Sequence, residues 1–108
     1  MAKQPDALVT VHLLPSDQGG RLGPTPADSF GCIMSIDGVN LDVRFRLDGR
    51  EPLRPGITRD VAVDFLNPEF AKRHVTMGEA FQLRESKVIG SGTVKQVLLH
   101  RQRHRLRA

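Results

Sequence analysis

The sequence predicts an all-β protein, an antiparallel sandwich or barrel of six short strands. Three observations carry this. Apolar and polar residues alternate with a period of two, most cleanly in Leu41-Asp42-Val43-Arg44-Phe45-Arg46-Leu47-Asp48. An amphipathic helix would instead space its apolar residues three and four apart. Clusters of Gly, Pro, Asn and Asp separate the apolar runs at short intervals, and no long helical pattern occurs.

The first strand is Val9-Thr10-Val11-His12-Leu13. The second, Phe30-Gly31-Cys32-Ile33-Met34-Ser35-Ile36, is more uniformly apolar and reads as a strand buried on both faces. The alternating run 41–48 is the third, and Asp60-Val61-Ala62-Val63-Asp64-Phe65 is the fourth. Asp42, Asp48, Asp60 and Asp64 are expected on the outward faces of these strands. The last two strands are the arms of the stretch from Phe81 to Leu99, near 79–84 and 87–99, around a polar turn that carries Arg84-Glu85. Turn signals lie at Gln18-Gly19-Gly20, Gly23-Pro24-Thr25-Pro26, Asp37-Gly38, Arg54-Pro55-Gly56 and Asn67-Pro68. Gly90 and Gly92 interrupt the last strand. Glycine there marks a bulge or a close backbone approach, which a small barrel needs where its wall bends.

A chain of 108 residues forms one domain with a single core. Its 26% charged and 39% apolar content fits a globular protein. No apolar run approaches the roughly 20 residues of a membrane span, so no membrane partner is expected. The start, MAKQPDALV, lacks the apolar core of a signal peptide. The single cysteine, Cys32, excludes an internal disulfide and reads as a small buried hydrophobe, which suits a reducing, cytoplasmic setting. Charge divides the chain into a body, 1–99, and a basic tail, 100–108, reading HRQRHRLRA. Without the four tail arginines the sixteen Lys and Arg fall to twelve, equal to the twelve Asp and Glu. The whole formal +4 therefore belongs to the tail.

Several motifs, in order, resemble the third, C-terminal domain of elongation factor Tu. Gln18-Gly19-Gly20-Arg21 is similar to that domain's opening "EGGR" hairpin, and Pro52-Leu53-Arg54-Pro55-Gly56 before Val61-Ala62-Val63 resembles its "PG" turn and following strand. Asn67-Pro68 looks like a strand end of the family, and Phe81-Gln82-Leu83-Arg84-Glu85 with Ile89-Gly90-Ser91-Gly92-Thr93-Val94 resembles its closing hairpin. The likeness covers roughly residues 7–99 and implies a six-stranded antiparallel Greek-key barrel. It also implies contacts with the T stem of aminoacyl-tRNA, with Glu85 and Ser86 at two of the family's positions. The chain departs from the family in its shorter Ser86-Lys87-Val88 turn and in lacking the family's "HTP" and "GYRPQF" segments. It has no G-x-x-x-x-G-K-[ST] loop to cradle a nucleotide, so it is not expected to hydrolyse GTP.

The candidate RNA-binding residues are Arg21, Arg84, Glu85 and Ser86 on the body and Arg101, Arg103, Arg105 and Arg107 in the tail. A carboxylate such as Glu85 accepts a hydrogen bond from a 2′-hydroxyl or a base amino group; alternatively Arg84 and Glu85 are an exposed turn pair. Arg21 reads either as an anion contact or as the solvated end of a hairpin. Arginines at every second position project to one side of an extended segment, a comb suited to a phosphate chain. The alternatives are a solubilising tail or a water-facing strand end. Tyr and Trp are absent, so no stacking platform for bases is apparent.

His12, His74, His100 and His104 are scattered, and the last two lie among arginines that repel cations, so no metal and no other cofactor is expected. Ser29, Ser35, Ser86 and Ser91 lack a nucleophile context, and no carboxylate pair sits in an apolar setting. The sequence thus reads as a non-enzymatic binding module for tRNA or another structured RNA. Its rival is a protein-interaction module, docking on a translation GTPase or on another partner of elongation factor Tu.

Overall fold

The structure, a computed structural model, describes residues 4–99. Six antiparallel strands close into a barrel: β1 (Ala7–Leu13), β2 (Ser29–Ile36), β3 (Val39–Arg46), β4 (Thr58–Phe65), β5 (Ala80–Arg84) and β6 (Val88–Val97). Around the wall they run β1-β4-β3-β2-β5-β6, with β6 returning to β1. Neighbours β2, β3 and β4 follow one another in the chain while β1 lies beside β4, which is the Greek-key arrangement.

The alternation in the sequence becomes the inside and outside of the wall. Leu41, Val43, Phe45 and Leu47 are buried, while Asp42 and Arg44 are exposed. The strand ends at Arg46, short of the expected 48, because Asp48 and Gly49 take positive φ of 52° and 74° and turn the chain, with Arg50 N–H donating to Leu47 C=O at 2.9 Å. Asp48 is therefore a turn residue and not part of an outward strand face. Asp64 is half-buried, its two carboxylate oxygens held by the Arg46 guanidinium. The second strand is not buried on both faces. Phe30, Met34 and Ile36 point inward, Gly31 is exposed, and Ile33 and Ser35 are half-buried, since a one-layer barrel has nothing outside to cover them. Asp37 and Gly38, at φ 52° and 76°, join Ile36 to Val39 in the two-residue turn that Asp-Gly favours.

The barrel has two ends of different construction. At one, Leu47 and Leu53 from the β3–β4 connection plug the interior. At the other, the segment after β4 supplies Ala71 and Val75 to the core. There Asn67-Pro68 starts a one-turn helix, α1 (Pro68–Ala71), with the Asn67 side chain accepting from Phe70 N–H at 3.2 Å. Gln18-Gly19-Gly20 is not a hairpin either: β1 and β2 are not neighbours, and the glycines close a 3-10 turn, Ser16–Gln18, within a long connection. Among the described residues no helix is long and apolar enough to cross a membrane.

Gly90 and Gly92 serve close approach. A Cβ on Gly92 would lie 2.2 Å from Thr10 O and 2.6 Å from the Phe81 ring, and one on Gly90 would lie 2.5 Å from His12 O. One bulge falls beside Gly90, where Ile89 drops out of register with β5, and a second lies further along, where Lys95 drops out of register with β1. Gly92→Ala is expected to destabilise the barrel by about 2 kcal/mol or more through overpacking against backbone. Gly31→Ala, where the nearest atom lies 3.7 Å away, should change the urea midpoint little. Equal midpoints for the two variants would show that the β1–β6 approach places no demand on residue size.

Candidate functional site

The β1–β2 connection and the β5–β6 turn meet at the barrel end that Leu47 and Leu53 plug. Gly20 is buried, and a Cβ there would sit 2.1 Å from Leu14 O, so only glycine lets the chain fold back this tightly after β1. That fold delivers Arg21 to the wall. Its Nη1 donates to both oxygens of Glu85, at 3.0 and 2.8 Å, while Nε donates to Gly23 C=O at 3.2 Å. The guanidinium also stands 5.2 Å from the centroid of the Phe30 ring, within cation–π range.

Arg21 is thus not the solvated end of a hairpin. Its side chain is 21% exposed and that of Glu85 36%. Glu85 does not form an idle turn pair with Arg84, because its carboxylate is committed to an arginine 64 residues away. The turn itself is closed by Glu85 N–H donating to Lys87 C=O at 2.9 Å. Arg84 and Ser86 are exposed beside it. Arg21, Glu85 and Ser86 line one cleft of about 340 Å³, together with Leu22, Lys87 and Ile89.

Cys32 lies close to this pair. It is half-buried and packed against the core. Burial pushes its thiol from the ordinary 9.0 up to about 12, the Glu85 carboxylate adding to the shift and the Arg21 guanidinium opposing it. The folded state therefore favours the neutral thiol. This contribution to stability is full below pH 9 and is lost as the pH rises towards 12.

Arg101, Arg103, Arg105 and Arg107, with His100 and His104, lie outside the described residues. The other two histidines are satisfied locally, His12 Nδ1 at 2.8 Å from Thr58 Oγ1 and His74 Nδ1 at 3.0 Å from Asp37 Oδ2. Among the described residues no group of three or more His, Cys, Asp or Glu is placed to hold a metal ion. The sequence reading missed Lys87, Leu22 and Cys32 as neighbours of the candidate residues. Leu22 and Lys87 adjoin Arg21 and Ser86 in the sequence, whereas Cys32 is brought near them only by the fold.

A double-mutant cycle on Arg21→Ala and Glu85→Ala is expected to give a coupling of about 1 kcal/mol in urea unfolding, the upper part of the range for exposed pairs because both carboxylate oxygens are engaged and the pair is partly covered. Arg21→Lys should keep at least half of it, because one nitrogen, Nη1, makes both contacts with Glu85, while the bonds of Nε and Nη2 to the Gly23 and Pro24 carbonyls are lost. Independently, Cys32 in the folded protein should react with iodoacetamide at pH 9 at least on the order of 10²-fold more slowly than in urea. Equal rates would mean that the thiol is not held neutral.

No protein-family model matches the chain, and no curated protein matches it; the likeness to the third domain of elongation factor Tu rests on the motifs in its sequence.

Proposed function

We propose that this chain is a non-enzymatic, cytoplasmic binding module of the translation-factor type that engages tRNA or another structured RNA. The observation that carries the reading is the segregation of charge. The formal +4 resides in a nine-residue tail with four arginines, appended to a body whose charges cancel. A phosphate backbone is the ligand for which such an arginine comb is suited.

Further support comes from the other barrel end, where Arg21, Glu85 and Ser86 share a cleft with Lys87. Glu85 spends part of its accepting capacity on Arg21 and keeps lone pairs for a 2′-hydroxyl.

A second reading has its own observation. Leu22 stands 93% exposed at the mouth of the same cleft. A protein-interaction module, docking on a translation GTPase or on another partner of elongation factor Tu, would bury it.

Titration of the full chain with tRNA at two salt concentrations tests the first reading. Binding is expected with a log–log salt slope of about −3 to −4, falling towards zero in a form ending at Leu99. Glu85→Ala is expected to weaken binding at constant slope. Stronger binding in Glu85→Ala would mean that the cleft acts through net charge alone, and absence of binding by the full chain would sink the RNA reading in favour of a protein partner.

A further inference from the structure

A second opening lies at the opposite barrel end. Strands β2 and β5 pair only from Ile33 opposite Arg84 to Ser35 opposite Gln82, yet β2 continues to Ile36 and turns at Asp37 and Gly38. Past the last pair the two strands part. A groove of about 610 Å³ opens between the β2–β3 turn and the start of β5. That size lies within the range of small-molecule sites.

The cross-strand registers give the groove a distinctive lining. Asn40 pairs with Ser35, Ser35 with Gln82, Gln82 with Ser91, Ser91 with His12 and His12 with Thr58. One outward row of hydrogen-bonding side chains, without a carboxylate, Lys or Arg among them, therefore circles all six strands. Its two ends satisfy themselves, Ser35 Oγ donating to Asn40 Oδ1 at 2.7 Å and His12 meeting Thr58 at 2.8 Å. No hydrogen bond within the described residues engages the Gln82 amide or the Ser91 hydroxyl in the middle. Apolar Ile36, Val39 and Phe81 lie beside these two in the groove.

We infer that this groove takes an unstacked nucleobase. A base has two apolar faces and an edge on which a donor sits beside an acceptor, and a primary amide such as that of Gln82 presents the complementary pair. No Lys or Arg lines the groove, and its one carboxylate, Asp37, is engaged by His74 at 3.0 Å. Phosphate is therefore not the group it accepts. Under the RNA reading, phosphate contacts fall to the arginines of the tail. Phe81 is 4% exposed, so hydrogen bonding at the edge, rather than stacking on a bare ring, fixes the base. The inference rests on the RNA reading for the source of the base, while the groove itself is open to separate test.

The test uses nucleosides, which lack phosphate, titrated to millimolar concentration into the isotope-labelled full chain and followed by amide chemical shifts. Adenosine and uridine are expected to move the amides of Ile36, Gln82 and Ser91, in low and high salt alike, and equally in the form ending at Leu99. Gln82→Ala and Gln82→Glu should each weaken this at least tenfold while leaving the remaining spectrum in place. Groove amides that do not respond to any nucleoside, or that respond as strongly in both Gln82 variants, would overturn the inference even if tRNA binds. Nucleoside binding at the groove without tRNA binding would keep the base site and remove the RNA reading instead.

Discussion

Three cross-strand pairs join β2 to β5, Ile33 with Arg84, Met34 with Leu83 and Ser35 with Gln82, and the closed barrel depends on them. Every other strand neighbour has a longer register; β2 and β3 match over their full lengths from Ser29–Arg46 to Ile36–Val39. A seam this short leaves the wall open on both sides of it. At one end the gap is spanned by a side chain: Arg21 lies over Phe30 on β2 and grips Glu85 beyond β5. At the other nothing spans it, and the groove beside Gln82 remains. Both candidate sites are therefore consequences of one feature, the brevity of β5.

The two openings differ in chemistry for reasons that follow from what fills them. Where a guanidinium stands in for missing backbone pairs, its fixed charge demands a carboxylate, and Glu85 supplies it, both of its oxygens accepting from Nη1. Cys32 lies nearby, its thiol kept neutral chiefly by burial, with the Glu85 carboxylate adding to the shift and the Arg21 guanidinium opposing it. Where no strut is present, the side chains around the gap are amides and hydroxyls, which water satisfies and a neutral ligand replaces. On the outer wall elsewhere, Asp60 is held by Lys95 at 2.8 Å and Thr10 at 2.6 Å.

Much of the barrel was legible in the sequence because a strand's period of two is a local property. Leu41, Val43, Phe45 and Leu47 declare their inward side without reference to any other segment. Asp37-Gly38 declares a hairpin in the same local way. An error arose where local chemistry has two outcomes: Gln18-Gly19-Gly20 serves a 3-10 turn as readily as a hairpin. The sites were less legible than the fold. Arg21, Glu85 and Ser86 had been singled out separately, but their meeting depends on a connection whose path no alternation encodes. The row through Gln82 and Ser91 was invisible because it requires the register of three non-hairpin pairings, β2 with β5, β6 with β1 and β1 with β4.

The circular order of strands has a consequence for how the chain is made. β1 finds its partners in β4 and β6, the latter completed only at Val97. During synthesis β1 can join β4, β3 and β2 in an open sheet, but two strand edges stay bare until about thirty further residues have emerged, roughly 2–6 s at ordinary translation rates. Bare edges recruit strands from other nascent chains. The late hairpin of β5 and β6 is thus the latch of the molecule, and a ribosome that stalls before it leaves an aggregation-prone sheet rather than a smaller barrel.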